Sequence, residues 1–159
     1  MLNKIAEFVH TQGHCVLATC AGEAGAFAPH TSLMTFCAAP DCGEFWLATQ
    51  KNTKKFRNLA ENPRASLLID DRATHAAPRQ ALTVAVHAAP FPSTAAEQAA
   101  RAALLARSPG LSGFLADADV LVLRLVAESF QLLTGLTEIF SLEISTPVEK
   151  VLDARPRKA

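Results

Sequence analysis

The sequence has no surplus charge to offer a polyanion. Fifteen Lys and Arg are balanced by fifteen Asp and Glu, so neither non-specific nucleic-acid binding nor attraction to an anionic membrane is implied. The same balance gives little protection against self-association, which fits an oligomer. No apolar run reaches the ~18 residues of a membrane span. The opening residues MLNKIAEFVH carry Lys4 and Glu7 and lack a signal-peptide core, which points to the cytoplasm. Cysteine is sparse: Cys15, Cys20, Cys37 and Cys42. In such a chain cysteines are more often small buried hydrophobes than disulfides. Their two C-x4-C spacings exceed the C-x2-C of a zinc knuckle, and Cys15 and Cys20 fall on opposite faces of a strand. No metal site is expected. His10, His14, His30, His75 and His87 have no ligand-like spacing. No Ser/His/Asp set or carboxylate pair is visible, so the sequence offers no acid, base or nucleophile.

What is present suits one domain. A chain of 159 residues, half of them hydrophobic, buries about 70% of its unfolded surface. Leu2 to Thr11 reads as an amphipathic helix with Ile5, Phe8 and Val9 inward, ended by Gly13. Cys15 to Thr19 is a strand, 21–25 a hairpin loop, and Ala26 to Phe36 a second strand with Pro29 near its start. Pro40 to Gly43 is a turn. Asp71 to Pro78 is a polar loop holding His75, and Arg79-Gln80 opens a strand through Val86. Thr94 to Ala106 is the longest helix, with Thr94 and Glu97 matching a capping box, and Pro109-Gly110 breaks it. Val120 to Val126 is a strand, followed by Glu128 to Thr134, a turn at Gly135, and Glu138 to Ile144. Thr146 onwards is a polar tail with Arg155, Arg157 and Lys158, expected to be mobile. Six or seven strands joined largely by hairpins imply an antiparallel sheet closed into a barrel. The expected division is a domain over 1–145 and a tail over 146–159.

The chain is organised around Phe45 to Asp70, which reads as strand, tight loop, short helix, strand. Asn52 or Thr53 supplies the helix cap. Phe56 and Leu59 share a face, and Asn62-Pro63 ends the helix. Lys51, Lys54, Lys55 and Arg57 crowd its start, and the first acid is Glu61. A helix N-terminus is itself positive, so each cation there costs about 0.3–1 kcal/mol where an acid would gain it. Cations gathered at this end make sense if an anion sits among them. Free N–H groups, the hydroxyls of Thr49 and Thr53, and two lysines would form a phosphate site. A solvated basic face is the alternative.

The segment T-x3-T-K-K-F-R-N-L-x2-N-P-R-A-S-L-L, from Thr49 to Leu68, resembles the pyridoxamine 5'-phosphate oxidase-like, FMN-binding split-barrel family. The resemblance covers roughly Ile5 to Glu143 and is specific from about Ala28 to Val86. It implies a mainly β fold with flanking helices, a six- to seven-stranded antiparallel split barrel. It implies FMN as cofactor, with phosphate contacts at Thr49, Thr53, Lys54 and Lys55. It implies that Ser32, Leu33, Met34, Thr35 and Phe36 run beside the flavin ring, where backbone does much of the bonding. Arg79-Gln80 resembles the family's Arg-Gln, whose Gln80 equivalent reaches the ring's polar edge. It further implies a homodimer with flavin at the subunit interface and a small-molecule redox substrate.

The sequence also departs from the family's enzyme proper. Thr31 (or His30) and Phe36 stand where the oxidase has an Arg and a Lys, so phosphate compensation falls more heavily on Lys54 and Lys55. The oxidase's C-terminal Trp and Arg-x-His signature has no counterpart; the only tryptophan is Trp46. The expectation is an FMN-binding oxidoreductase that is not the true oxidase. Two alternatives stand beside it: a non-catalytic flavin carrier or electron-transfer module, and a haem-binding relative of the same fold.

Overall fold

A computed structural model describes residues 2–22, 26–72 and 78–144. The middle of the 21–25 loop, His75, and the tail with Arg155, Arg157 and Lys158 lie outside the described residues. The element order is α1 (Leu2–Thr11), β1 (His14–Ala21), β2 (Ala28–Ala38), β3 (Glu44–Gln50), α2 (Lys54–Glu61), β4 (Arg64–Asp70), β5 (Gln80–Ala89), α3 (Thr94–Arg107), a 3-10 turn (Pro109–Leu111), α4 (Ser112–Leu115), β6 (Val120–Thr134) and β7 (Glu138–Glu143). This is the mainly β, antiparallel fold expected, with seven strands.

The strands run β3-β2-β1-β4-β5-β6-β7, and a β3–β6 pairing closes the first six into a barrel. β7 lies outside it and pairs only with β6 among the described residues. The barrel fills with one side of each strand. Leu17, Phe36, Phe45, Leu47, Leu67, Ile69, Leu82, Val84, Leu125 and Phe130 are all essentially buried. Alternation is the cause: successive side chains of a strand point to opposite faces, so every second residue enters the barrel. Ile5, Phe8 and Val9 of α1 join this core, as their spacing predicts. A smaller core of Ala48, Leu104, Leu115, Val120 and Val122 lies on the outer face of β3 and β6 beneath α3 and α4.

β6 is one strand of fifteen residues where the sequence suggests two in succession. Its first half pairs β3 over Val120 to Val126, and its second half pairs β7 over Ser129 to Thr134. β5 runs along both halves and absorbs the bend at an irregularity between Ala85 and Val86. A bulge of this kind increases local twist and lets one strand serve both ends of a barrel. The start of α3 also differs from expectation. The cap is Ser93, whose side chain accepts from the Ala96 N–H at 3.1 Å. Thr94 is therefore the first helical residue, and Glu97 lies one position too far along to complete a capping box.

All four cysteines are free, and no group of three potential metal ligands occurs among the described residues. Burial pushes the Cys15 thiol up to about 12, and burial with the nearby Asp41 pushes Cys42 up to about 11. Both thiols stay protonated at neutral pH and act as hydrophobes. No described helix is long and apolar enough to cross a membrane.

One polar cluster seals the barrel wall under α3. Arg124 donates to Glu44 at 2.6 Å and to the Pro90 carbonyl at 3.0 Å. The Trp46 indole N–H donates to the other Glu44 oxygen at 3.1 Å. The Arg124 hydrogen bond, opposed by partial burial and helped by Trp46, holds the Glu44 carboxyl below its ordinary value of 4.5. A carboxyl with a lowered folded-state pKa contributes stability above its unfolded value and loses it as pH falls through the folded one. Urea midpoints should therefore drop between about pH 5 and pH 3 more steeply in the wild type than in Glu44→Gln. Trp46 fluorescence reports the transition; parallel curves for the two proteins would remove this cluster from the acid response.

Candidate functional site

The barrel is open at one seam. β2 pairs β3 through three positions only, Phe36↔Leu47, Cys37↔Trp46 and Ala38↔Phe45. β1 holds β2 over its whole length from Ala28 to Thr35, while β3 continues to Gln50 along β6. Beyond Phe36 and Leu47 the two strands therefore separate. The outer edge of β2 from Thr31 to Thr35 has no strand partner among the described residues. A cleft of about 270 Å³ occupies the gap. Leu33, Met34 and Thr35 form one side, and Ala48, Thr49 and Gln50 the other.

The start of α2 closes the end of this cleft. Thr53 caps the helix: its hydroxyl accepts from the Phe56 N–H at 3.4 Å and donates to the Gln50 carbonyl at 2.9 Å. The Arg57 N–H bonds the Thr53 carbonyl. The N–H groups of Lys54 and Lys55 precede any intrahelical acceptor, as the first N–H groups of a helix must. Thr49 is buried, with its hydroxyl 3.1 Å from that of Thr53. Thr49, Thr53 and Lys55 all line the cleft.

The direction of α2 is set by two asparagines. Buried Asn58 donates to the Thr19 hydroxyl of β1 at 3.0 Å. Asn62 donates to the Cys20 carbonyl at 2.9 Å, beside Pro63 where the helix stops. Leu59 packs into the core and Phe56 against it. A buried side-chain amide left unpaired costs about 1–3 kcal/mol, so these bonds hold the helix axis as well as its ends. Asn is a poor residue for a helix interior, and its presence at 58 in so short a helix is the signal that could have marked this anchor.

Of the ten residues expected at a cofactor, six line this cleft: Leu33, Met34, Thr35, Thr49, Thr53 and Lys55. Phe36 is instead buried in the barrel core. Ser32 faces the opposite way from Leu33 along the strand, half-buried, with its hydroxyl 3.3 Å from His30 Nε2. Lys54 is exposed and lies outside the cleft, one residue from the half-buried Lys55. Gln80 lines a separate hollow with Asp70, Asp71 and Arg79, and its amide is 3.5 Å from the Thr134 hydroxyl. Leu111 and Phe114 line the cleft as well. Nothing local in their sequence connects them to it, because they arrive from the segment between α3 and β6.

Beside the cleft runs a second, more apolar groove of about 280 Å³. His14, Cys15, Val16, Leu33, Leu68 and Arg72 line it. Leu33 is 72% exposed and forms the ridge between the two. Arg72 is already paired with Asp70 on the rim, and that hydrogen bond lowers the Asp70 pKa.

Comparison with known proteins agrees with this architecture. The pyridoxamine 5'-phosphate oxidase family model matches residues 1–131. A pyridoxamine 5'-phosphate oxidase homolog of Schizosaccharomyces pombe is 37% identical over 83 residues, which span 46% of this chain and 40% of the relative. A haem-binding protein from Mycobacterium smegmatis superposes with a TM-score of 0.77 at 22% identity, covering 89% of this chain and 57% of the other. A Clostridium acetobutylicum protein related to general stress protein 26, of the pyridoxinephosphate oxidase family, superposes with a TM-score of 0.68 at 20% identity, over 90% and 94% of the two chains. The chain thus spans less than two thirds of the yeast and mycobacterial relatives. Likeness at such identities speaks for the fold, and the family match over most of the chain speaks for descent: the chain belongs to the pyridoxamine 5'-phosphate oxidase family, with its split-barrel fold.

Proposed function

We propose that the chain binds FMN in the cleft between β2 and β3 and acts as a flavin-dependent oxidoreductase. The carrying observation is that one cleft brings together an unpaired strand edge, a helix start with two free N–H groups, and Lys55. Each meets a need of the cofactor. A phosphate monoester takes N–H donors and a cation at the helix start. The flavin ring takes the apolar side chains of Leu33 and Met34, and its polar edge takes the free backbone groups of β2. Thr53 holds the helix start open for the anion by satisfying the Phe56 N–H itself. Thr49 serves by fixing Thr53 through the 3.1 Å hydroxyl contact. Lys54 lends charge from outside. When bound, FMN would supply the electron or hydride transfer, so no acid–base pair is required of the protein. A carrier without turnover would use the same cleft, and steady-state oxidation of reduced nicotinamide is the assay that separates the two.

The second subunit belongs to this reading. A cleft of about 270 Å³ falls at or below the ~300–1,000 Å³ typical of small-molecule sites. Its rim carries the exposed Leu33, next to an apolar groove reaching Leu68. Burying that rim against a second copy would complete the slot. Gln80, remote from the cleft of its own chain, would then contact flavin across the interface. Light scattering at micromolar concentration should return twice the chain mass of 16.9 kDa, and a mass of one chain would remove the interface.

A second reading is haem in the neighbouring groove. His14 beside Val16, Leu33 and Leu68 offers an imidazole at an apolar slot, and the mycobacterial relative is a haem-binding protein. Addition of haemin should then give a Soret band that His14→Ala loses, and no band in the wild type ends this reading.

Lys55 tests the FMN site directly. A charge-assisted contact to phosphate contributes about 1.5–3 kcal/mol, so Lys55→Ala should weaken FMN about 10- to 150-fold. Riboflavin, without the phosphate, should bind both proteins alike. Stability without ligand should hold or rise slightly, because a cation leaves a positive helix end. Equal FMN affinity in both proteins at matched low salt would leave Lys55 a solvated surface residue.

A further inference from the structure

The barrel alone does not enclose the phosphate end of the cleft. The remaining wall is Leu111 and Phe114, from the insertion between β5 and β6. We propose that these two residues determine cofactor specificity: they admit a flavin whose phosphate is a terminal monoester and turn away flavins whose phosphate carries a further ester. The proposal rests on the FMN reading above and adds the residues that select within it.

Three observations carry it. First, Leu111 and Phe114 share one cavity with Thr53 and Lys55, and the turn that follows them is bonded to Lys51 at the entrance to α2, where the phosphate would lie. Phe114 is 38% exposed although its neighbour Leu115 is buried. It is therefore not a core residue of its own helix, and it is available to whatever fills the cleft.

Second, the wall is fixed in place. Leu115 sits in the small outer core with Leu104, Ala48, Val120 and Val122. Arg101 of α3 donates to the Leu115 carbonyl at 2.6 Å. The turn after α4 is bonded to the loop that leads into α2: the Lys51 N–H donates to the Asp119 carbonyl at 3.0 Å, and Lys51 Nζ to the Ala118 carbonyl at 3.4 Å. Backbone therefore closes this side of the phosphate end. A monoester needs no way out, because its outer oxygens are terminal. A diester must pass its second substituent out of the cleft, and here Phe114 and Leu111 stand in its path.

Third, carboxylates outnumber cations in the turn after α4, where Lys51 is the one lysine bonded to it among the described residues. Asp117 and Asp119 are exposed in the same turn, and the Asp119 N–H donates to the Asp117 carboxylate at 2.9 Å. The second phosphate of FAD, or the acidic tail of a deazaflavin, would leave Lys55 and meet two carboxylates against the single, already bonded Lys51. Specificity built this way combines an attractive site for one ligand with an obstruction and a repulsion against its relatives.

The test is equilibrium binding of riboflavin, FMN and FAD to the wild type, Phe114→Ala, Leu111→Ala and Phe114→Leu, by calorimetry at one ionic strength. The wild type should prefer FMN to FAD by at least about tenfold. Phe114→Ala should bring the two within about threefold by tightening FAD, with riboflavin unchanged. Leu111→Ala should move the ratio in the same direction, and Phe114→Leu should keep most of the preference. Equal FMN and FAD affinities in the wild type would overturn the proposal. So would an alanine variant that weakens all three ligands alike or leaves the ratio untouched. Failure of the wild type to bind any flavin would overturn the FMN reading itself, a result distinct from FMN binding without discrimination.

Discussion

β3 cannot follow both of its neighbours. One edge is committed to β6 over seven residues, and this pairing closes the barrel. The other edge meets β2 over three. β2 in turn is committed to β1 along eight residues. A closed barrel removes open edges by pairing every strand on both sides. Here closure is complete at one end and abandoned at the other. The cleft is the consequence, and backbone donors and acceptors that would have cross-linked two strands are left facing it. The rest of the site follows from where the chain must go next. β3 leaves the seam at Gln50, turns through Thr53, and starts α2 at the mouth of the gap it has just opened. A positive helix end is thereby delivered to an unpaired strand edge without any further device.

Much of this was legible in the sequence because local chemistry dictates it. The amphipathic spacing of Ile5, Phe8 and Val9, the stop at Asn62-Pro63 and the apolar run before Asp70 each fix an element without tertiary help. The crowding of cations at the start of α2 pointed to the candidate site, since no intrahelical effect rewards it, and of those cations Lys55 lines the cleft. The turn at Pro40–Gly43 was also readable, although the left-handed residue is Cys42 and not Gly43. Its buried side chain holds a conformation that glycine would have adopted freely.

The remainder was hidden for physical reasons. A cap is decided by one hydroxyl among several in a row, and the Thr94–Glu97 spacing pointed to Thr94 where Ser93 makes the bond. The unity of β6 depends on partners at both ends, which are far away in the chain. Arg124 lies in an apolar run, and only the fold brings it to Glu44 and the Pro90 carbonyl, 80 and 34 residues distant. Leu111 and Phe114 reach the cleft because the outer core buries Leu115 and Leu104. Lys54 came from the same motif as Lys55 and Gln80 from the Arg79-Gln80 pair, yet a motif fixes only the order of residues. It does not say which side of a helix, or which hollow of the fold, each residue faces.

The outermost strand has a consequence of a different kind. Among the described residues β7 joins the sheet by one edge, and its exposed face carries Ile139, with Leu136 standing fully out in the preceding turn. Edges of this type recruit further strands unless charge or geometry forbids it. A chain with no net charge has no long-range repulsion to keep copies apart. What guards this edge is therefore local: Glu138 and Glu143, one at each end of the strand. In a stacked, in-register ribbon those carboxylates would fall directly on their own copies. Two side chains outside the cleft thus carry the protection of this edge. Replacing both glutamates with neutral residues would leave that edge without its guard.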